Sequence, residues 1–549
     1  MKRIQIWIAA LVLATGTVAF VAPAEKYFEI AKSLDIFSTL FKEVNAYYVD
    51  DVDPKKLVDK GIQGMLESLD PYTDYIPEEE QEAFSIQTTG QYAGMGALIG
   101  VVNKKTVITH PYLGFPAQRA GLWVGDEIIS VNGTNVQGKP TAQVSALLKG
   151  KPKTQLEVTV RRYGVKDPIT FKIERDRIKV SNVVYHGMVD NRVGYIKLDD
   201  FTPGAGKEVE EAVVKLKGQG AKSLIIDLRD NPGGLLYEAV NIVNLFIPKG
   251  LEVVATKGKV PEWNKSYVTL NNPLDTEIPL AVLTSGGSAS ASEIVAGALQ
   301  DYDRALLIGE KTFGKGLVQT TRPLAYNAQL KVTTAKYYIP SGRCIQALDY
   351  ANRKSDGTVE KFADSLKVEF KTKKGRSVFD GGGLDPDILV KPEPLASAVQ
   401  ELASRNFFFE YATIYRATNP HEPATMSNFR LTEAEYNAFV DWVRKQPFEY
   451  ATGLESKADE LIAAAREERY YEVLKSDLTE LKKKIADNKQ TDWVRYKSEI
   501  SSLLEEQIAF HYRLNAGLAE ISLNRHKEIL EAKRILTDSA AYQKMLQPQ

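Results

Sequence analysis

The chain has 549 residues, of which 44% are hydrophobic and 26% are charged. This is the composition of folded globular proteins, so a largely disordered chain or a fibrous repeat is excluded. At about 100–200 residues per domain, the length suggests roughly three to five domains. The 70 basic and 71 acidic residues give a formal net charge of −1, which provides no general attraction to nucleic acid or to an anionic membrane.

Cysteine and histidine are scarce in this chain. Cys344 is the one cysteine, which excludes an internal disulfide bond and a zinc site built from cysteines. No two histidines lie within one helical turn of each other, so their spacing does not favour a histidine metal site. The five histidines are His110, His186, His421, His511 and His526.

The first 24 residues have the pattern of an export signal. Lys2 and Arg3 precede an uncharged, mostly apolar run over residues 4–22, and Ala22-Pro23-Ala24 fits a small-x-small cleavage pattern. The segment is either a cleaved signal peptide or an uncleaved anchor, because about 20 apolar residues can span a bilayer. In both cases we expect the rest of the chain in the periplasm or cell envelope, where an anchor would tether it to the inner membrane.

Two segments precede the central part of the chain. Residues 25–85 carry apolar residues at three-to-four spacing, such as Ile30 and Leu34, which predicts an N-terminal helical region. Residues 86–175 contain repeated glycines, short β-type runs and an Asn132-Gly133 turn after an alternating strand. This second stretch predicts a small β-rich module of about 90 residues.

Residues 176–392 alternate strands with helices. Buried strands are predicted at residues 223–228 and 280–284, each followed by a helix with an apolar face, an order typical of a largely parallel sheet. Ligands of such sheets tend to bind beyond the carboxyl ends of the strands. Residues 393–549 are charged, poor in glycine and helical in period, which predicts a helical C-terminal domain with no evident chemistry.

The loops after the two buried strands carry the candidate chemistry. The first reads Leu228-Arg229-Asp230-Asn231-Pro232-Gly233-Gly234, and the second includes Ser290 at the start of a predicted helix. Two interpretations compete for the Ser290 hydroxyl. It either caps the helix, as the Ser290-x-x-Glu293 spacing indicates, or it is a nucleophile whose oxyanion the helix N-terminus would stabilise.

A serine nucleophile needs a base, and the histidines are poor candidates because of their positions in the chain. Lys315 lies between Gly314 and Gly316, and glycines allow a backbone to pass close to another loop. It is either a neutral base, since burial can lower a lysine pKa by several units, or an exposed turn residue. Residues 309–315 also fit the phosphate-loop pattern, but Gly316 replaces the magnesium-binding hydroxyl and a strand follows, so nucleotide binding is not expected.

At these residues the chain resembles the carboxyl-terminal processing proteases, also called tail-specific proteases, over about residues 30–390. The resemblance rests on several motifs in the same order. They are Leu228-Arg229-x-Asn231-Pro232-Gly233-Gly234, Ser288-Ala289-Ser290-Ala291-Ser292-Glu293, Gly309-Glu310-x-Thr312-x-Gly314-Lys315-Gly316-x-x-Gln319, Pro340-Ser341-Gly342-Arg343 and Gly383-Leu384-x-Pro386-Asp387. The resemblance implies an exported serine endopeptidase with a Ser-Lys dyad and no metal or cofactor.

The resemblance also implies roles for individual residues. Ser290 matches the nucleophile, Lys315 the general base and Gln319 the residue that orients the lysine. The amide of Ala291 and one amide of the Gly233-Gly234 pair match the oxyanion hole. Each of these roles is an expectation that the resemblance carries.

The β-rich module resembles a PDZ domain. The residues that match its carboxylate-binding loop and the following strand are Tyr92, Gly94, Met95, Gly96, Ala97 and Leu98. Free loop amides would hold a C-terminal carboxylate, and an extended tail would add to the edge of the sheet. The expected partners are proteins or peptides with free, apolar C-termini, without nucleic acid, and the terminal helical regions leave room for a homo-oligomer.

The expected fold is a multidomain α/β protein with a crotonase-like (ClpP/crotonase-type) α/β protease core and an inserted-type β-rich PDZ domain. The expected segments are 1–24 signal peptide or anchor, 25–85 N-terminal helices, 86–175 PDZ domain, 176–392 protease core and 393–549 helical C-terminal domain. The alternative function is a non-catalytic PDZ scaffold that binds protein C-termini. An acyl-CoA enzyme is a third candidate, because the core resembles the crotonase-type fold, although fold alone is a weak guide to function.

Overall fold

A computed structural model describes residues 27–350, 353–354, 358–362, 364–489 and 491–548. The predicted signal peptide or anchor over residues 1–24 lies outside this part of the chain. No helix within the described ranges is both long and apolar enough to cross a membrane. The described residues form two compact units, one with residues 27–75 and Thr321–Val332, the other with Ile76–Thr320 and the residues from Thr333 onward.

The first unit contains two helices, α1 at residues 27–47 and α2 at Pro54–Glu67. The Asp53 carboxylate caps α2, because it accepts the amides of Lys55 and Lys56 at 3.0 and 3.2 Å. A short strand, β1 (Asp74–Ile76), and a helix, α3 (Gln81–Thr89), follow along the chain. The predicted helical region is therefore helical only in part, since an acidic turn and a strand interrupt it.

The β-rich module follows α3 and contains eight strands and two short helices. They are β2 (Gln91–Gly94), β3 (Ala97–Val102), β4 (Lys105–Pro111), α4 (Pro116–Arg119), β5 (Glu127–Val131), β6 (Thr134–Asn135), α5 (Thr141–Leu148), β7 (Gln155–Arg161), β8 (Ile169–Glu174) and β9 (Asp176–Lys179). The main sheet has the order β3-β4-β5-β7-β8, so β3 lies at an edge, and β6 pairs with β5 through the predicted Asn132-Gly133 turn. Alternate residues such as Ile128 and Val158 fill its core.

The described residues of the α/β region form twelve strands and three α-helices. They are β10 (Val183–Met188), β11 (Val193–Leu198), α6 (Ala205–Gly218), β12 (Ser223–Asp227), α7 (Leu236–Asn244), β13 (Glu252–Gly258), β14 (Lys265–Val268), β15 (Leu280–Thr284), α8 (Ala291–Asp301), β16 (Leu306–Gly309), β17 (Leu317–Pro323), β18 (Gln329–Tyr338), β19 (Glu369–Lys371), β20 (Ser377–Phe379) and β21 (Ile388–Leu389). The main sheet has the order β10-β11-β12-β15-β16-β21. Its strands are parallel from β11 to β21, as the alternation of strands and helices predicts, and β10 is antiparallel.

The C-terminal region is helical, as predicted. Its helices are α9 (Ser397–Ser404), α10 (Phe407–Thr418), α11 (Glu433–Arg444), α12 (Gly453–Glu467), α13 (Tyr471–Lys489), α14 (Asp492–Arg495), α15 (Lys497–Ser522), α16 (Lys527–Thr537) and α17 (Ser539–Met545). The Thr432–Glu435 capping box starts α11, and Phe439, Ile500 and Ile508 pack in an aromatic-rich core between α10, α11 and α15.

The last two helices cover one face of the main sheet. Helices α6, α7 and α8 pack on the opposite face. Ile529 and Ile535 of α16 and Tyr542 of α17 contact the other face, at residues such as Ile225 and Leu283. Strands that are apolar on both faces need a cover on both faces, and the end of the chain provides the second one.

The β-rich module also packs against the C-terminal helices. The guanidinium groups of Arg162 and Arg416 lie 4.0 and 4.5 Å from the ring centroid of Trp123, which is a cation–π arrangement. Gly125 lies so close to Thr413 that an added Cβ would be 2.4 Å from the threonine methyl carbon. The helical region therefore contacts the module on a surface that the sequence did not indicate.

Candidate functional site

Ser290 lies at a strand-to-helix turn beyond the carboxyl end of β15 and directly precedes α8. Its backbone φ of 56° and ψ of −114° are unusual for a residue with a side chain. Such a conformation costs about 1–3 kcal/mol and persists only where the surroundings impose it. The turn leaves Ser290 half-buried between the loop residues and the first turn of α8.

The carboxylate of Glu293 holds the turn together from inside the protein. Glu293 is fully buried, and its Oε2 accepts the amides of Ser290 and Lys315, each at 2.9 Å. Its Oε1 accepts the Thr312 hydroxyl at 2.6 Å and the Gly314 amide at 2.8 Å. Burial raises the pKa of Glu293 to about 7, while these four hydrogen bonds act in the opposite direction.

The same glutamate bears on the two interpretations of Ser290. Ser290 and Glu293 form the arrangement of a capping box, in which the glutamate accepts the serine amide. The other half of the box is also present, because the Ser290 side chain faces the backbone amide of Glu293, although this contact falls outside regular hydrogen-bond geometry. The amide of Ser290 is thus fixed, while the contact of its hydroxyl with the start of α8 is weaker.

The backbones of Lys315 and Ser290 are linked by hydrogen bonds to two shared groups. The first is the shared Glu293 oxygen, and the second is the buried hydroxyl of Tyr337. This hydroxyl donates to the carbonyl of Lys315 and lies 3.2 Å from the carbonyl of Ser290. Gly314 has a φ of 87°, and an added Cβ would be 2.4 Å from the Cβ of Ala347, so the loop needs glycine at this position.

Gly233 contacts the turn from the neighbouring loop after β12. A Cβ added to Gly233 would lie 2.6 Å from the carbonyl oxygen of Ala289 and 2.8 Å from the amide nitrogen of Ala291. Asn231 connects the same two loops, because its carbonyl accepts the Ala289 amide at 3.0 Å and the Ser292 hydroxyl at 2.9 Å. The sequence-predicted residues Ser290, Ala291 and Gly233 therefore lie together.

The Gly233 amide, Gly234 and Gln319 make other contacts than their predicted roles require. The Gly233 amide donates to the side chain of Asn231 at 2.9 Å, so that donor is engaged in this conformation. Gly234 is exposed and its backbone lies against Phe201. The side-chain amide of Gln319 donates to the Thr333 hydroxyl at 3.1 Å.

The residues matched to a PDZ loop line a groove of about 330 Å³ between β3 and α5. Tyr92, Gly94, Met95, Ala97 and Leu98 form one side, and α5 residues such as Ala142 and Leu148 form the other. Gly96 lies in the same loop, where a φ of 77° and the nearby Phe115 side chain require glycine.

The backbone of this loop presents its amides to the groove. The carbonyl of Met95 accepts the Ala117 amide at 2.7 Å, and the carbonyl of Gly96 accepts the Tyr112 amide at 2.9 Å. In a trans peptide the N–H points opposite to the C=O. The amides of Gly96 and Ala97 therefore point away from the body of the module, toward the open edge of β3.

The sequence indicates only part of the structural framework of the site. The Ser290-x-x-Glu293 spacing predicts the capping box, which the structure contains, but it does not indicate that Glu293 also accepts the amide of Lys315. Nothing in the sequence around Tyr337 indicates its contact with the turn, because that contact depends on β18 folding back over the site. Within the described ranges, no three His, Cys, Asp or Glu side chains lie close enough together to hold a metal ion.

Four family models match successive parts of the chain. The model of peptidase family S41 matches residues 192–351, and a PDZ domain model matches residues 107–162. A model of the N-terminal domain of the activating protease CtpB matches residues 19–80. A model of the C-terminal helical domain of a probable PDZ-protease matches residues 398–536.

Individual proteins are similar over the same central region. A carboxy-terminal-processing protease of Bartonella bacilliformis is 38% identical over 321 residues, which cover 58% of this chain and 73% of that protein. A probable CtpA-like serine protease of Staphylococcus aureus is 38% identical over 317 residues, which cover 57% and 62%. The solved photosystem II D1 C-terminal processing protease is 28% identical, with a TM-score of 0.36 and coverage of 65% and 92%.

Proposed function

Because the chain belongs to the carboxy-terminal-processing protease family, with a PDZ domain, we propose that it is a serine endopeptidase that selects protein substrates by their C-terminal tails. The observation that carries this proposal is the pairing of Ser290 and Lys315 on one buried carboxylate oxygen. If Ser290 only capped a helix, the loop that carries Lys315 would not need to donate to the same Glu293 oxygen. A Ser-Lys dyad does require the two backbones to be held in a fixed relation.

In the proposed mechanism, neutral Lys315 takes the proton of the Ser290 hydroxyl as the oxygen attacks the scissile carbonyl. The amide of Ala291 and one amide of Gly233 or Gly234 stabilise the tetrahedral oxyanion. The loss of one such donor typically costs about 10²–10³ in rate. Lys315 then protonates the leaving amine, and water hydrolyses the acyl-enzyme without a metal or cofactor.

One of these assignments requires a local rearrangement from the conformation described above. The Gly233 amide has to leave Asn231, or else the Gly234 amide takes its place as the second oxyanion donor. The NH₂ group of Gln319 donates to Thr333, and the amide oxygen of the same side chain would accept from the amine of Lys315. We propose that substrate binding brings about the change at Gly233, as occurs in enzymes that complete their site on closure.

The PDZ groove is proposed to capture the tail of the substrate. Its edge strand β3 is open to an added strand, and the outward amides of Gly96 and Ala97 suit a terminal carboxylate. Met95, Ile99 and Leu148 give the groove an apolar lining, which suits an apolar last side chain. The preferred substrate is therefore a protein with an unstructured, apolar C-terminus.

The wider organisation is proposed to follow the sequence expectations. Residues 25–85, 86–175, 176–392 and 393–549 would be the N-terminal helices, the PDZ domain, a crotonase-type protease core and the helical domain. The parallel sheet with a helix after most strands supports this description of the core. The export pattern of residues 1–24 supports a location in the cell envelope, with or without an anchor.

The test is cleavage of a fluorogenic peptide that ends in a free apolar residue. The peptide is given to the parent chain and to Ser290→Ala, and the same peptide with an amidated C-terminus is given to the parent. We expect cleavage by the parent only, and slower cleavage of the amidated peptide. Equal cleavage by Ser290→Ala would contradict the proposal, and binding without cleavage would favour the scaffold alternative.

A further inference from the structure

The loop over residues 228–234 follows β12 and is anchored at Arg229. The Arg229 amide donates to Oδ1 of Asp227 at 2.9 Å, and the Arg229 carbonyl accepts the amine of Lys197 at 2.5 Å. The guanidinium group donates to the same carboxylate, from Nε at 3.0 Å and from Nη2 at 2.6 Å. The backbone and the side chain of Arg229 are therefore both fixed at the point where the loop leaves the strand.

The carboxylate that binds Arg229 uses only one side of the guanidinium. Asp227 is fully buried and also accepts the Tyr195 hydroxyl at 2.7 Å. Burial alone would raise the pKa of Asp227, but the charges of Arg229 and Lys197 hold that pKa well below its ordinary value. A guanidinium has five N–H donors in a planar fork, so donors remain on the side that faces away from Asp227.

The remaining side of the guanidinium contacts the C-terminal helical region. Nη1 of Arg229 donates to Oε2 of Glu528 at 3.0 Å and lies 3.2 Å from Nδ1 of His526. Glu528 lies in the first turn of α16, 299 positions from Arg229 in the sequence. Only 14% of the Arg229 side chain and 19% of the Glu528 side chain are exposed, so water screens this pair less than a surface pair. A residue of the helical region thus completes the hydrogen bonding of an arginine in the α/β region.

The position of Arg229 bears on the Ser290 turn through the next two residues. Asp230 has a φ of 60°, which is uncommon for a residue with a side chain and persists where the surroundings impose it. Its amide donates to the hydroxyl of Ser285, in the loop that carries Ser290, at 2.9 Å. The carbonyl of Asn231 accepts the amide of the residue before Ser290 at 3.0 Å. A shift of Arg229 would therefore displace the loop that is proposed to supply the second oxyanion donor.

We propose that Glu528 is a positioning residue: by binding the outer side of the Arg229 guanidinium, it fixes the loop over residues 228–234 against the Ser290 turn. This inference rests on the proposed function, because it gives the helical C-terminal region a part in the same chemistry. Glu528 itself would not touch the substrate. Its loss should slow the chemical step and leave tail capture, which is proposed for the groove between β3 and α5, unchanged.

An acidic residue at this position could also have a purely structural role. A negative side chain in the first turn of a helix stabilises that helix through its dipole, whatever chemistry lies nearby. Two conservative variants separate the roles. Glu528→Gln loses the charge but keeps an oxygen that can accept from Arg229, whereas Glu528→Asp keeps the charge in the first turn but is one methylene too short to reach the guanidinium.

The test measures kcat and KM of the full chain for the fluorogenic tail peptide. Glu528→Ala, Glu528→Gln and Glu528→Asp are compared with the parent, and thermal melts show which variants are folded at the assay temperature. The matched control is Glu531→Ala. Glu531 is a half-buried glutamate of the same helix that pairs with Arg534.

We expect Glu528→Ala and Glu528→Asp to lower kcat by about 10-fold and to change KM by less than about 2-fold, because displacement of a catalytic group slows the reaction without weakening capture. Glu528→Gln should stay within about 3-fold of the parental kcat, since its hydrogen bond to Arg229 remains. Glu531→Ala should match the parent.

Parental kcat in a folded Glu528→Ala protein would overturn the inference and leave the proposed function intact. Loss of kcat in Glu528→Gln together with parental kcat in Glu528→Asp would also overturn it, since the helix dipole would then be the cause. If Glu528→Ala does not fold, this last pair of variants decides alone. A parent chain that does not cleave the peptide would contradict the proposed function, and this inference with it.

Discussion

The backbone amides of Ser290 and Lys315 donate to the same oxygen, Oε2 of Glu293, each at 2.9 Å. The two residues are 25 positions apart in sequence, on loops that follow different strands of one parallel sheet. A single buried acceptor therefore fixes the spacing of the two loops. Catalysis that depends on a positioned nucleophile and base is sensitive to such spacing, because a shift of about 1 Å can cost about 10² in rate.

Glu293→Gln should lower kcat by about 100-fold. Glutamine keeps the size of the side chain but replaces one acceptor oxygen with an NH₂ group, which cannot accept the amides of Ser290 and Lys315. The measurement is kcat for the tail peptide, with a thermal melt to confirm folding. Glu211→Gln changes an exposed glutamate on α6 that pairs with Lys207 and should leave kcat unchanged. A folded Glu293→Gln protein with parental kcat would contradict the positioning role.

Gly233→Ala should abolish measurable turnover. The new methyl group would lie 2.6 Å from the Ala289 carbonyl oxygen and 2.8 Å from the Ala291 amide nitrogen, and the φ of 96° is strained for alanine. The methyl group would displace the turn that carries Ser290 and block the Ala291 amide as an oxyanion donor.

The matched control for this change is Gly286→Ala, in the loop that also carries Ser290. No atom lies within 4 Å of a Cβ added there, and Gly286 is exposed. Steady-state kinetics should show parental activity for Gly286→Ala and none for Gly233→Ala. Parental activity in both variants would show that Gly233 has no part in the site.

His511 should make the helical region less stable in acid. Burial lowers its pKa to about 3, and its ring lies against Thr413 and the carbonyl of Gln507, with the positive charge of Arg416 nearby. Between about pH 6.5 and 3 the unfolded chain binds a proton at this position that the folded chain does not. Its contribution to the free energy of unfolding is complete above about pH 6.5 and is lost as the pH falls toward 3.

The measurement is urea unfolding at pH 7.5 and pH 5, followed by fluorescence of the aromatic core that contains Trp442 and Trp493. The parent should lose about 2 kcal/mol more than His511→Gln between these pH values, at 1.36 kcal/mol per pKa unit. His421→Gln, at an exposed position of the same region, should behave as the parent. An equal pH effect in the parent and His511→Gln would exclude the histidine as the cause.

Much of the core could be predicted because its signals are local in the sequence. Buried apolar runs mark β12 and β15, and the helices after them follow the predicted order. The Ser290 turn was visible in the same way, since the Ser-x-x-Glu spacing marks a helix start. Loops at the carboxyl ends of adjacent parallel strands lie at one edge, so the meeting of Gly233 with Ser290 follows from topology.

The features of the fold and of the site that could not be predicted depend on contacts between segments that are distant in the sequence. Tyr337 reaches the turn only because β18 returns over the site, and nothing in its own sequence neighbourhood indicates this. The cover that α16 and α17 provide for the sheet was missed, because their apolar residues fit a free-standing helical bundle equally well. Trp123 between Arg162 and Arg416 combines residues from two regions that the sequence presents as separate.

We propose above that Ser290 is a nucleophile activated by Lys315. This activation can be measured as the rate at which a fluorophosphonate probe labels the full chain, with the labelled residue identified by peptide mass spectrometry. The parent should be labelled at Ser290, Ser290→Ala should not be labelled, and Lys315→Ala should be labelled about 10²–10⁴ times more slowly, as expected for loss of a general base. Labelling of Lys315→Ala at the parental rate would contradict the role of Lys315 as the base, and labelling of a different residue in the parent would contradict the role of Ser290 as the nucleophile.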